Sequence, residues 1–591
     1  MKDFLTFIVS CILGACPAGD APNDKNAVPG ELSSIQTRAG ENGEEFIIQN
    51  YAPKSLSGDY LASQFAQRHH DWGNALKFMD PLLEATPDDT QLINKAMVLA
   101  MGSGETETAI ALAHKLLGIE GEQENSLALL FVALEHFKNK DYQTALSFIE
   151  AMPEGSLSDF ILPLLESWAQ AALGKHDTQN LGGNTIHIHH AILIAAYLGE
   201  TDNIEGLLQQ SLGASGLSLQ DLERIADSYA YIGKTEIALE LYTKLFEEWP
   251  ENRPLAHKID SLKNGEAISY IEGVDSPEEG VASALYDTAR LLFQEQSDES
   301  ARVFAHMALY LNPDLPDAQL LLGYITARNN QLEEAIHYYQ AVQPDDEKYE
   351  ESRRMAADLL ESAQHIDDAI SELDDLVKNY GDLEALIQIG DIHRRSENFD
   401  KAVSTYNKAA QKLGSTIPRE YWQLYYVRGM SYERLGEWDK AEADLTTALE
   451  YQPENPLILN YLGYAWADQG VHLQKSLELI RKAAALRPTD GYIIDSLGWV
   501  LYRMGQYPEA VPHLEKAVEL LPYDPVINDH LGDAYWQVGR KLEARFQWVR
   551  AQNHSEDEDF VKDVQAKLDD GLSENHDMVK EAKTQAHDGK I

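Results

Sequence analysis

The chain reads as an all-α solenoid, about fourteen helix pairs stacked into a right-handed superhelix, some of them degenerate. Three observations predict it. A motif returns about every 34 residues, most clearly from Trp422 to Ala551. Glycines hold two fixed places in it: Gly429, Gly463, Gly498 and Gly532 at one, and Gly436, Gly470, Gly505 and Gly539 seven residues on. Ala441, Ala510 and Ala544 follow five residues later, and Pro453, Pro488 and Pro522 close three of the units. Small residues let two helices approach where they cross, while Tyr432, Trp466, Leu501 and Tyr535 fill the space beside them. The prolines end each second helix because proline disfavours helix in the residue before it.

Taken in order, the chain opens with an address. Leu5 to Ala15 is an apolar run too short to span a bilayer but suited to a signal-peptide core. It ends in Leu13-Gly14-Ala15-Cys16, which resembles the bacterial lipobox. That resemblance implies cleavage before Cys16 and lipidation through its sulfur, with 1–16 as the signal. An ordinary secretory signal or a misassigned start are the alternatives. Cys11 and Cys16 are the two cysteines of the sequence, so the body has no disulfide framework or thiol nucleophile. Residues 17–55 are rich in Gly, Pro, Asn, Glu and Ser and read as a flexible tether.

An N-terminal array is expected over 56–262. Its first units carry Tyr60, Ala66, Trp72 and Pro87, then Ala96 and Gly104, then Tyr142 and Ala145. The pattern decays over 157–216 and returns at Leu219 with Ala226, Gly233 and Pro250. Residues 263–280 read as an irregular connection and a break between two superhelical segments. A second array follows over 281–551, in which the unit from Pro456 carries one extra residue near Val471 to Gln474. Phe560, Val561, Val564 and Leu568 predict a capping helix within 552–572, and 573–591 reads as a disordered polar tail.

With 48 Lys and Arg against 97 acids, the formal charge is −49, which argues against nucleic-acid binding. It implies a soluble surface and, where charge steers association, basic partners.

The period and its punctuation are the signature of the tetratricopeptide repeat. Three blocks narrow the resemblance: Asn460-Tyr-Leu-Gly-Tyr-Ala-Trp466, Asp490 to Trp499, and Ile527 to Trp536 followed by Ala544-Arg-Phe-Gln-Trp548. They resemble a group of Gram-negative tetratricopeptide lipoproteins, which includes outer-membrane adaptors of a periplasmic carboxy-terminal processing protease. The resemblance implies a non-enzymatic scaffold tethered to the outer membrane, facing the periplasm and presenting substrates to such a protease. A scaffold for envelope polysaccharide export or cell-wall assembly, or a cytoplasmic repeat protein with a misread start, are the other readings.

In this fold the first helix of each pair lines the concave face. Ile494, Leu497, Gly498 and Leu501 share one stripe and must enter the core. Tyr492, Asp495, Trp499 and Tyr502 share another, joined by Asn460, Tyr464 and Asp468 on one side and Asp529, Asp533 and Trp536 on the other. The stripe reads as an aromatic and acidic partner-binding groove with Arg503 as a lone cation; the alternative is that its aromatics pack between repeats. Some relatives clamp a terminal carboxylate with groove Lys, Asn and Arg, and these acids argue against that.

No Walker loop, dinucleotide glycine motif, HExxH or Gly-x-Ser-x-Gly elbow is present. His187, His189 and His190 form the best metal candidate, but no carboxylate or thiol stands at matching spacing. They read as a surface segment of a worn repeat. The expectation is therefore no enzyme, no metal and no cofactor.

Overall fold

The computed structural model describes residues 35–39 and 45–49 in their backbone, and 55–153, 160–200, 204–213, 217–249, 252–265, 274–414 and 417–572. The signal peptide, the lipobox Cys16 and the tail from 573 lie outside these residues. Inside the segment read as a tether, Ile35–Ala39 and Glu45–Gln49 pair as a two-stranded antiparallel hairpin. Everything else described is helix and turn. No helix among the described residues is long and apolar enough to cross a membrane.

The chain divides into two compact units, Met1–Glu372 and Leu373–Ile591, with the boundary inside the helix Ile366–Asn379. This division falls about 100 residues later than the break expected near 263–280.

The turn between paired helices explains much of the repeat. Its one residue in left-handed backbone is a glycine in the strong repeats: Gly436, Gly470, Gly505 and Gly539 have φ between 72° and 84°. Among the weaker repeats some keep a glycine there, as at Gly104 and Gly233, while in others the same job falls to His70, Lys140, Gln296, Asn330, Gln364 and Glu397, with φ of 58–66°. The unit from Pro456 does carry one more turn residue, and His472 there is also left-handed (φ 47°).

In unit 1, antiparallel pairs run from Leu56–Arg68 through Thr90–Gly102 with Thr106–Leu117 and Ser126–Lys138 with Tyr142–Glu150. Helix Ile161–Ala172 packs on its sequence neighbours Tyr142–Glu150 and Thr185–Tyr197. The chain makes an excursion through Thr185–Tyr197 to Arg253–Lys263 before Pro277–Gln294 returns beside it. Gly280 permits that return: a Cβ there would overlap the Trp168 indole. Asp298–Leu311 then packs on Thr90–Gly102 and Ser126–Lys138. Polar contacts lock both returning helices: Arg302 Nε donates to Gly102 O at 2.5 Å, and Tyr142 Oη donates to Glu278 of Pro277–Gln294 at 2.7 Å. The segment 281–311, expected to start a second superhelix, is thus core of the first unit.

In unit 2, five pairs follow one another: Leu383–Arg395 with Phe399–Leu413, Trp422–Arg434 with Trp438–Tyr451, Pro456–Asp468 with Leu473–Leu486, Gly491–Arg503 with Tyr507–Leu520, and Pro525–Gln537 with Lys541–His554. Asn455, Asp490 and Asp524 cap successive first helices by accepting from backbone N–H groups two or three residues on. The glycine at each crossing is sterically required: a Cβ on Gly498 would lie 2.5 Å from Leu514 Cγ, and one on Gly463 would lie 2.7 Å from Ile480 Cγ1. Helix Glu558–Asp570 closes the last pair and buries Val564.

Candidate interaction surface

The residues read as a concave groove lie on Pro456–Asp468, Gly491–Arg503 and Pro525–Gln537. Trp499 is 4% exposed. Its ring stacks on His530 at 4.0 Å and on Tyr502 at 4.9 Å, the planes 13° and 7° apart. Tyr502 and Asp495 are buried too, and His530 Nδ1 lies 2.9 Å from Asp495 Oδ2. Burial alone would lower the His530 pKa, but Asp495, with Asp529 and Asp533 beyond it, raises it above its ordinary value.

Asp529 and Asp533 are also buried, and the chain supplies their cation. Lys567 of the closing helix donates to Asp529 at 2.7 Å and to Asp533 at 2.8 Å. Asp533 further accepts from Trp548 Nε1 at 2.9 Å. Burial disfavours the ammonium, yet the two carboxylates hold the Lys567 pKa well above its usual value. Burial and the neighbouring Asp533 raise the Asp529 carboxyl, because two acids share one ammonium.

The expected groove is therefore corrected. Trp499, Tyr502, Asp495, Asp529 and Asp533 are interior, since adjacent first helices stand close enough for their side chains to stack and pair. Asn460, Tyr464 and Trp536 are half-buried. Lys541 lies over the Trp536 ring at 4.6 Å, and Gly571 sits against its face. Arg503 is no lone cation: its Nη1 donates to Asp468 O at 2.5 Å and lies 3.6 Å from that residue's carboxylate. Only Asp468 and Tyr492 of the stripe are exposed.

The histidines at 187–190 are likewise internal rather than on a surface. Gly182 N–H donates to His187 Nδ1 at 2.7 Å, and His187 Nε2 lies 2.8 Å from Phe160 O. Trp168 Nε1 donates to His190 Nδ1 at 3.1 Å, and His190 Nε2 stands 3.4 Å from Asp287. Asp287 also takes Arg224 at 2.8 Å. Burial would raise this carboxyl, but Arg224 and the two histidines hold it far below the carboxylate range. Among the described residues no group of three His, Cys, Asp or Glu is arranged to hold a metal ion.

The exposed apolar side chains of unit 2 recur at a different register. Leu457, Tyr492 and Val526 are the second residues of three successive first helices. Leu486 ends the second helix Leu473–Leu486, and Tyr523 stands in the inter-repeat turn after the next second helix, Tyr507–Leu520. Tyr523 is 71% exposed and Tyr492 60%. Cations gather at the same inter-repeat turns. Arg419 donates to Tyr451 O at 2.8 Å, Lys482 to Pro453 O at 2.8 Å and Arg550 to Pro522 O at 2.6 Å. Arg419 thus meets the last carbonyl of a second helix, and Lys482 and Arg550 meet turn carbonyls just beyond one. The result is an exposed apolar edge whose neighbouring cations are paired within the chain. The sequence signal was available: an apolar residue just after each Asn-Pro, Asp-Gly or Asp-Pro start, where the cap geometry points it outward.

The family model for the tetratricopeptide repeat matches residues 354–416, 426–491 and 496–558. A TPR repeat-containing protein of Pseudomonas aeruginosa is 29% identical over 217 residues, which is 34% of this chain. The chain spans about a third of that relative's length, 34%. Among solved structures, the APC/C hetero-tetramer Cut9–Hcn1 aligns over 88% of this chain and 98% of its own, at 15% identity and TM-score 0.37. YrrB, described as a TPR protein with an unusual peptide-binding site, aligns over 33% of this chain and 96% of its own, at 18% identity and TM-score 0.26. The matched segments between residues 354 and 558 carry tetratricopeptide repeats.

Proposed function

We propose that the protein is a non-enzymatic adaptor of the bacterial cell envelope. It is tethered through Cys16, faces the periplasm from the outer membrane, and recruits a carboxy-terminal processing protease or presents substrates to it. Tetratricopeptide repeats serve protein–protein interaction, and the fold is typically non-catalytic. The observation that carries the reading here is the exposed edge at Leu457, Leu486, Tyr492, Tyr523 and Val526. Interior packing explains none of these side chains, they recur in three consecutive repeats, and exposed apolar clusters of this kind mark interaction sites.

The test is binding of the full chain to a purified periplasmic carboxy-terminal processing protease, with melting measured on the same variants. Tyr492→Asp combined with Tyr523→Asp should weaken binding at least about tenfold, the scale of one aromatic anchor, and leave the melting temperature unchanged. A protease that ignores the wild-type chain removes the protease reading. Binding that survives the double substitution removes the edge. Fractionation of Cys16→Ser tests the tether separately: the variant should leave the membrane pellet or accumulate as precursor, and wild-type behaviour rejects the lipid anchor.

A further inference from the structure

The last second helix, Lys541–His554, carries two apolar stripes. One is the usual core stripe, with Ala544, Trp548 and Ala551 buried. The other lies on the opposite side of the helix: Leu542 is 67% exposed, Phe546 62% and Val549 41%. These residues follow at i, i+4 and i+7, so they form one continuous outward ridge. Equivalent positions on the two preceding second helices are exposed too. They hold Gln474, Glu478 and Arg481 on one, and Pro508, Pro512 and Glu515 on the other. The repeat therefore does not need apolar residues there, and the last helix departs from it three times on one face.

The flank of the ridge indicates what covers it. Glu543 and Arg550 lie one helical heptad apart on the same side. Each is steadied locally: Arg540 Nε donates to Glu543 at 3.1 Å, and Arg550 Nη2 donates to Pro522 O at 2.6 Å. A second copy of the helix laid antiparallel across the ridge about a two-fold axis near Phe546 brings Glu543 opposite the partner's Arg550. The same operator brings Arg550 opposite the partner's Glu543. On the other flank Lys541 faces the partner's Gln552. Phe546 then packs on the partner's Phe546, with Leu542 and Val549 on either side. A glutamate and an arginine at this spacing make the surface complementary to itself, whereas a lone apolar ridge would not choose an orientation.

We propose that the outward ridge Leu542–Phe546–Val549 is an isologous dimer contact with a second copy of this chain. One pair of four-turn helices makes a small interface, so the dimer is weak and concentration-dependent. The net charge of −49 on each copy opposes it at low salt, and physiological salt screens charges beyond about 8 Å.

Sedimentation equilibrium of the full chain in about 0.15 M salt tests this, up to about 0.5 mM protein. The wild type should show a reversible monomer–dimer equilibrium. Phe546→Glu should weaken it at least about tenfold with an unchanged helical melting curve, since the side chain is exposed. Glu543→Arg alone should weaken it severalfold, and Glu543→Arg with Arg550→Glu should restore it. A chain that stays monomeric throughout overturns the proposal. If removal of 573–591 then yields a dimer, the tail is the occupant instead. Dimerisation insensitive to Phe546→Glu also overturns it, because the contact then lies elsewhere. Failure of the charge swap to restore association rejects the antiparallel register.

Discussion

Unit 1 and unit 2 are built from the same helix pair and bury it differently. In unit 2, each first helix meets the helices next to it in sequence, and its inner side chains satisfy one another: Trp499 on His530, Asp495 with His530, Lys567 with Asp529 and Asp533. In unit 1, inner faces are covered by helices some 100–200 residues away, as Trp168 is by Pro277–Gln294 and Gly102 by Arg302. Thr90–Gly102 and Ser126–Lys138 are accordingly apolar almost all round. A nearest-neighbour array and a globule that closes on itself can share one repeat. What separates them is whether a later helix carries the residues to fill the first helices' inner face.

The largest test of that contrast is Trp168→Ala. The indole is fully buried, covers Gly280 and donates to His190. Removing it should cost about 3–5 kcal/mol, as for other buried tryptophans. Because the contact joins segments far apart in sequence, the loss should be shared across unit 1 as one cooperative transition. Hydrogen exchange should rise together in 90–172 and 277–311 and stay unchanged in 456–554. If exchange rises only next to residue 168, unit 1 behaves as a nearest-neighbour array and the contrast fails.

Lys567→Met comes next. It leaves Asp529 and Asp533 buried without their cation, a kind of loss that costs about 3–5 kcal/mol. The lysine stands at the end of the array, where fraying of the closing helix limits how much of that cost reaches the rest. Protection should fall in 525–570 and persist in 422–451. Asp529→Asn and Asp533→Asn added to Lys567→Met should recover part of the loss, and no recovery would reject the ion triad as the cause.

Much of this was legible in the sequence. The helix pairs, the tight crossings at Gly463 and Gly498 and the extra turn residue near His472 follow from spacing and punctuation. The closure of unit 1 was not, because it depends on pairing of Trp168 with Gly280, which no local period reports. The turns at His70, Lys140, Gln296 and Glu397 were hidden because side chains, not glycine, occupy the left-handed position. Two acids of the expected groove, Asp529 and Asp533, hold a cation of the chain itself rather than one of a partner. That cation is Lys567, 34 residues beyond Asp533, and helical spacing within one repeat cannot show a partner two helices further on. The stripe was assigned to solvent because an aromatic with an acid beside it looks like a binding site. An imidazole stacked on Trp499 and paired with Asp495 makes it interior.

The smallest effect sharpens the same comparison through pH. His530 is buried, and its folded-state pKa is raised above its ordinary value. The unfolded reference is about 6.5. A group with a raised folded pKa lends stability that is fully present below about pH 6.5 and is lost as pH rises through the folded value. The His530 contribution to the stability of unit 2 should therefore fall on going from about pH 6 to pH 8.5, against the opposite contribution of His393 and His513, whose pKa values burial lowers. Asp495→Asn removes the charge that raises the imidazole, and burial then lowers its pKa, so the slope over this window should shrink or reverse. His306 in unit 1 is the opposite case: burial and Arg302 lower its pKa to about 3, so it is neutral when folded but takes up a proton on unfolding near pH 6, and its contribution makes unit 1 gain stability as pH rises from about 6. Melting of unit 2 followed by tryptophan fluorescence at both pH values, for wild type and Asp495→Asn, is the measurement. Equal slopes for the two proteins would mean that the Asp495–His530 pair carries no charge in the folded state, and that stacking on Trp499 alone holds the imidazole in place.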